Sequence, residues 1–170
     1  VGRLDQMASR YIGTPDTPFT RLALAKFMIQ AVARIQNPGC KADAMLVLEG
    51  DQGIQKSTFA NELFGDDWFA DDLPDMRTKD AALQLRGKWG IEIGEMVGAS
   101  RSEVNAVKRV IAAKKDTYRP PYGRSTIDAE RHTVFIGTTN DYEYLTDPTG
   151  NRRFWPIACT RFGIEAVKRD

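Results

Sequence analysis

Residues 46–59 read LVLEGDQGIQKSTF. The apolar run that opens here, AMLVLE at 44–49, is short and continuous, the pattern of a parallel strand buried on both faces. A turn bounded by Gly50 and Gln55 follows. From Lys56 a helix begins, KSTFANELF, and Gly65 ends it. Strand, glycine turn, Lys-Ser and helix, in this order, are what a phosphate-binding loop requires. Backbone N–H groups of Asp51, Gln52, Gly53, Ile54 and Gln55, and of the helix start at Thr58, can converge on phosphate oxygens. Lys56 then places an ammonium at the β/γ-phosphates, and the Ser57 hydroxyl is a magnesium ligand. The pattern G-x-x-x-x-G-K-[ST] is matched at Gly50, Lys56 and Ser57, but Gln55 occupies the second glycine position. A side chain there either crowds the phosphates or demands an awkward backbone angle. The alternative is a surface turn that merely contains glycines and a lysine.

Working outward, PFTRLALAKFMIQAVARIQ at 18–36 carries apolar residues at helical spacing, and Asn37-Pro38-Gly39 stops it. Downstream, strand candidates fall at 67–70, 89–93, 133–138 and 154–158. Pro156 puts the last at an edge or a bulge. Helices are expected over 78–86, with Thr78 as N-cap, and over 103–115, capped by Ser100 or Ser102. Residues 118–127 hold Pro120-Pro121 and Gly123, which suit a loop or irregular hairpin. Strands alternating with helices predict an α/β domain: a mainly parallel sheet with helices on both faces. Residues 1–43 read as a helical lead-in, 44–160 as the core, and 161–170 as the start of a truncated helix. Val1 is not a start methionine, so the chain reads as a segment of a longer protein.

The 170 residues suit one domain with a real core. At 42% hydrophobic and 28% charged, the composition is that of a globular protein, and no apolar run or leader suggests a membrane. A cytoplasmic location is expected. Cys40 and Cys159 lack zinc-site or disulfide spacing and read as reduced, partly buried thiols. The only histidine, His132, opens an apolar run and reads as structural. Net charge is +1, but its distribution is uneven. Residues 61–80 hold seven carboxylates and two basic residues, and 101–135 hold eight Lys/Arg and four carboxylates. That polarity offers one region to an anionic partner, with an ordinary solvated charge run as the alternative.

A phosphate loop that hydrolyses its nucleotide needs a carboxylate at the end of a neighbouring strand. KWGIEIGEM at 88–96 offers Glu95, where the strand should end, and Glu92, inside the apolar run where an unpaired carboxylate is costly. Glu95 ranks first. VFIGTTND at 134–141 ends a strand in Thr-Thr-Asn, and Asn140 can reach the γ-phosphate or its attacking water, or simply begin a turn. GNRRFWP at 150–156 presents Arg152 and Arg153, whose guanidinium suits a phosphoryl transition state on a neighbouring subunit. Surface ion pairs are the alternative. Between these motifs, AKKDTYRPPYGRSTIDAERH at 113–132 interleaves cations with aromatics. Lys114, Lys115, Arg119 and Arg124 can meet phosphates, and Tyr118 and Tyr122 can stack on bases, unless this is a rigid loop packed on its own tyrosines.

LEGDQGIQKSTF, EIGEM, VKRVIAAKKDTYRPPYGR, VFIGTTN and TGNRRFWP, in this order, resemble the virulence-associated protein E family of phages, prophages and mobile islands. The resemblance covers roughly residues 15–160. It implies a three-layer P-loop core similar to AAA+ and superfamily III helicase domains, with a central five-stranded sheet. It implies Lys56 and Ser57 at ATP and Mg2+, Glu95 as the acidic motif, Asn140 as sensor, Arg152 or Arg153 as a trans-acting finger, and a DNA-contacting hairpin near 114–124. It further implies single-stranded DNA as partner, a ring such as a hexamer, and a primase-like domain in the same polypeptide. Gln55, and Gly94 where an adjacent acid is usual, depart from the general ATPase pattern. Two other functions fit the loop: a nucleotide- or DNA-binding module without hydrolysis, and a small P-loop kinase.

Overall fold

The computed structural model describes residues 4–72, 81–94, 101–142, 144 and 151–169. Five strands form one all-parallel sheet: β1 (Met45–Glu49), β2 (Phe69–Ala70), β3 (Gly90–Ile93), β6 (Val134–Thr139) and β7 (Phe154–Ala158). Their order across the sheet is β2-β3-β6-β1-β7. β1 is therefore flanked on both sides, which is why MLVLE is buried along almost its whole length. β7 is an edge strand, with Pro156 opposite Val47, as the proline requires.

The period-2 alternation of the strands divides the core in two. Leu46, Leu48, Val134, Ile136 and Ile157 face Leu24 and Phe27 of α1 (Pro18–Gln36) and Phe59 and Phe64 of α2 (Lys56–Phe64). Met45, Val47, Ile91, Ile93 and Phe135 face Leu85, Val104 and Ile111, from the segment after α3 (Ala81–Gln84) and from α4 (Arg101–Ala112). The chain is thus a three-layer α/β domain. A short C-terminal helix, α5 (Ile164–Arg169), closes over the α2 side.

Local chemistry explains where the elements begin and stop. Thr17 caps α1: its hydroxyl accepts from the Thr20 amide, Thr20 returns the bond, and Pro18 sits in the first turn. α1 ends at Asn37, and Gly39 takes φ +74° in the turn beyond. Its outward side carries exposed Phe19, Leu22, Ile29, Val32 and Ile35, so α1 is apolar on more than its buried face. Among the described residues no helix is long and apolar enough to cross a membrane. The proposed caps Thr78 and Ser100 lie outside the described residues. Ser102 lies within α4 rather than at its cap.

Two sequence expectations are corrected here. The helix expected to run to Lys115 stops at Ala112. Lys115–Tyr118 forms β4 instead and pairs antiparallel with β5 (Ile127–Glu130). The backbone is diverted because Ala113 and Lys114 spend their carbonyls on Arg34 and on the Arg131 amide. His132, expected to pack, is exposed, while its neighbour Arg131 is buried. Arg131 donates to both oxygens of Asp116 and to the Val110 carbonyl, and lies over the Phe135 ring. Arg34, 1% exposed, donates to the carbonyls of Ala42, Ala113 and Arg131. Two buried guanidiniums therefore fasten the base of the β4–β5 hairpin to α1 and the sheet.

Candidate nucleotide site

In a parallel sheet the strands release their loops at the carboxyl ends, and ligands gather there. At that end of β1, the turn 50–55 and the start of α2 border a cleft of about 880 Å³. Gly50 is forced by packing: a Cβ there would lie 2.4 Å from the Cys159 carbonyl oxygen. Gly53 adopts φ +84° with open space around it. Gln55 adopts φ 74°, ψ 33°, the left-handed region that favours glycine. The backbone angle demanded of the second glycine is thus present without the glycine. Gln55 is exposed. No side chain caps the first turn of α2, so its leading amides are open to an anion in the cleft.

Lys56 is 8% exposed, and its Nζ donates to the Gly50 carbonyl at 2.7 Å, the Asp51 carbonyl at 2.8 Å and Asn140 Oδ1 at 2.7 Å. All three ammonium donors are engaged, and the loop is closed around them. Burial pushes this ammonium below the ordinary lysine range. Asn140 reaches Lys56 from the carboxyl end of β6, and the Gly50 amide donates to Thr139 O at 3.2 Å. Glu49, half-buried beneath the loop, accepts from Tyr144 Oη at 2.7 Å. Burial raises the Glu49 carboxyl above its usual range despite that bond. Cys159, beside Gly50, is a buried free thiol, pushed up to about 12 by burial.

Glu92 stands within the site. Its Oε1 accepts from Ser57 Oγ at 2.7 Å and from Thr138 Oγ1 at 2.5 Å. The carboxylate is 3% exposed, and Oε2 is buried without a partner. The residue ranked second by sequence is therefore the one brought to Ser57, because two hydroxyls from other elements compensate the burial that counted against it. Glu95, ranked first, lies outside the described residues. The orphaned Oε2 beside Ser57 is the oxygen-rich environment that a hard divalent cation or its bound water takes. Ser57 and Glu92 supply oxygen atoms of the kind magnesium takes, while among the described residues no group of three or more His, Cys, Asp or Glu gathers.

The whole chain, residues 1–170, matches the virulence-associated protein E-like domain. The chain belongs to that family. No curated protein matches it. Among solved structures, an apo form of the NrS-1 C-terminal region (305–718) superposes with TM-score 0.64 at 13% identity, covering 98% of this chain and 42% of that one. A further apo form of the same region gives TM-score 0.61 at 15% identity, covering 89% of this chain and 40% of that one. At such identity the likeness is one of fold. The VapE-like domain spans about two fifths of the solved chains it matches.

The remaining predicted site residues of the VapE-like domain fall away from the cleft. Arg152 and Arg153 occupy a turn, residues 151–153, that leads into β7. β7 runs parallel to β1 with Phe154 opposite Met45. The arginines therefore lie at the amino end of the sheet, at least about 17 Å of strand away from Glu49 and its loop. On the hairpin, Lys114, Lys115, Arg119, Tyr122 and Arg124 are exposed, with Tyr122 at φ 62° in the tip. Lys115 pairs with Glu130 at 3.1 Å, and Arg119 Nε donates to the Gly123 carbonyl at 2.6 Å. Tyr118 is corrected: 2% exposed, under the Arg86 guanidinium and bonded to it, it is packing and not a stacking surface. Sequence reasoning missed Thr138, Arg34, Arg131 and Asp116. The polar doublet before Asn140, facing a glutamate in an apolar strand, is the signal that could have found Thr138.

Proposed function

We propose that the VapE-like domain binds a nucleoside triphosphate with Mg2+ and hydrolyses it as the motor part of a phage, prophage or mobile-element DNA replication protein. One observation carries this reading: Lys56, Ser57, Glu92 and Asn140, from three different elements, meet at the uncapped start of α2 in one cleft. On this reading the α2 amides and Lys56 hold the phosphates, and Ser57 and Glu92 hold the cation. Bound magnesium would neutralise charge on the phosphate oxygens. Asn140, released from Lys56 when phosphate takes its place, is free to turn toward the γ-phosphate side of the cleft. Glu95 is proposed to orient the attacking water.

Arg152 and Arg153, distant from their own cleft, are proposed to serve a neighbour's nucleotide, which makes a ring the working form. The exposed cations and Tyr122 of the hairpin are proposed to follow single-stranded DNA. A primase-like domain in the same polypeptide belongs to the same proposal. The test is Mg2+-dependent binding of a fluorescent ADP, and ATP turnover with and without single-stranded DNA, for the unmodified protein and Lys56→Ala. Loss of at least about 100-fold in affinity is expected for the variant. Binding that ignores Lys56 would end the proposal.

A second reading has its own observation. All three Lys56 donors are engaged and Gln55 holds a strained angle, which favours a module that binds nucleotide or DNA without turning it over. Tight ATP binding with no turnover in the assembled protein would select it.

A further inference from the structure

We propose that Thr138 is a positioning residue for the cation: with Ser57 it holds Oε1 of Glu92, a residue that lines the phosphate cleft, and leaves the buried Oε2 for the cation. The inference rests on the nucleotide reading above. It starts from register. β3 and β6 pair in parallel with Glu92 opposite Ile136, so Thr138 lies two residues further along β6, on the same face and toward the cleft. From there its hydroxyl reaches Glu92 Oε1, the oxygen that Ser57 also donates to. Two donors on one oxygen leave the other without a bond, although Glu92 is 3% exposed. A buried carboxylate oxygen left bare is costly, and the cost is recovered when a cation or its water binds there.

Thr138 and Ser57 are not equivalent in this arrangement. Ser57 is itself a candidate cation ligand, and in donating its proton to Glu92 it keeps its lone pairs for the metal. Any turn of Ser57 toward a cation weakens its hold on Glu92. Thr138 is 6% exposed, in the interior of the sheet, and has no such second task. It is the donor that keeps Glu92 in place while Ser57 adapts. Its β-branched side chain also restricts χ1, which favours a fixed hydroxyl.

The experiment measures fluorescent ADP binding to the chain at a series of Mg2+ concentrations, and in EDTA, for the unmodified protein, Thr138→Val and Thr138→Ser. Thr138→Val keeps the shape and removes the donor. It is expected to raise the Mg2+ concentration needed for half-maximal tight binding by about tenfold. Affinity in EDTA should stay unchanged, and Thr138→Ser should restore the magnesium dependence. Equal magnesium dependence in Thr138→Val and the unmodified protein overturns the inference and leaves the nucleotide reading standing. No ADP binding by the unmodified protein overturns both. If circular dichroism shows Thr138→Val unfolded, the same titration on Thr138→Ala, Glu92→Gln and their double variant decides. Non-additive effects on magnesium dependence support the pairing, and additive ones refute it.

Discussion

The phosphate loop and the β4–β5 hairpin solve opposite problems. In the loop, the lysine is buried and its donors are engaged before any ligand arrives. In the hairpin, bonding concentrates at the base, where Arg131 and Asp116 are buried, while Arg124 and Tyr122 at the tip are exposed. One region is closed around its own lysine. The other is held rigidly at its root and presents charge and an aromatic ring at its far end.

The sharpest break of this contrast is at the root. Asp116→Ala leaves Arg131 as an uncompensated buried charge and is expected to cost about 3–5 kcal/mol of stability, read by urea unfolding. An effect below about 1 kcal/mol would mean that the pair is not the anchor. Next, Tyr122→Ala should lower affinity for a single-stranded oligonucleotide by about 1–3 kcal/mol. Arg124→Ala should reduce the salt slope by about one. Tyr118→Phe should leave DNA affinity unchanged, since that ring is packed under Arg86; equal losses at 118 and 122 would erase the distinction between root and tip.

In the loop, Gln55→Ile should destabilise by about 1–2 kcal/mol, because a β-branched side chain resists a positive φ. Gln55→Gly should stay within about 1 kcal/mol of the natural chain. The smallest effect concerns Asn140. If its amide holds Lys56 closed, Asn140→Ala should tighten ADP binding a few-fold, about 1 kcal/mol, even where turnover falls. Titration with fluorescent ADP checks this, and weaker binding would show Asn140 to be a phosphate contact instead of a latch.

Legibility in the sequence followed contact range. β1, the glycine turn and α2 are contiguous, so the strand and loop at 44–64 could be read from local pattern alone, whereas for Gln55 the pattern left crowding or an awkward angle open and the structure shows the angle. Glu92 was demoted because its two hydroxyl partners lie 35 and 46 residues away in sequence. No local rule supplies them. The overlong helix at 103–115 has the same origin. Its last residues are good helix formers, and Arg34, 79 residues upstream of Ala113, together with the Arg131 amide gives their carbonyls a better use. The arginines at 152 and 153 were legible as a pair, but their distance from the loop follows from the register of β7 against β1.

Arg34 carries one more implication. Its single guanidinium joins the chain at 42, at 113 and at 131, so the residues just before and just after the hairpin are stitched to α1 by one side chain. Truncating Arg34 would leave the carbonyls of Ala42, Ala113 and Arg131 without this donor in the interior. The seating of α1 against both roots thus hangs on one side chain, and because its acceptors are backbone carbonyls the requirement falls on position 34 itself and not on the side chains at 42 or 113.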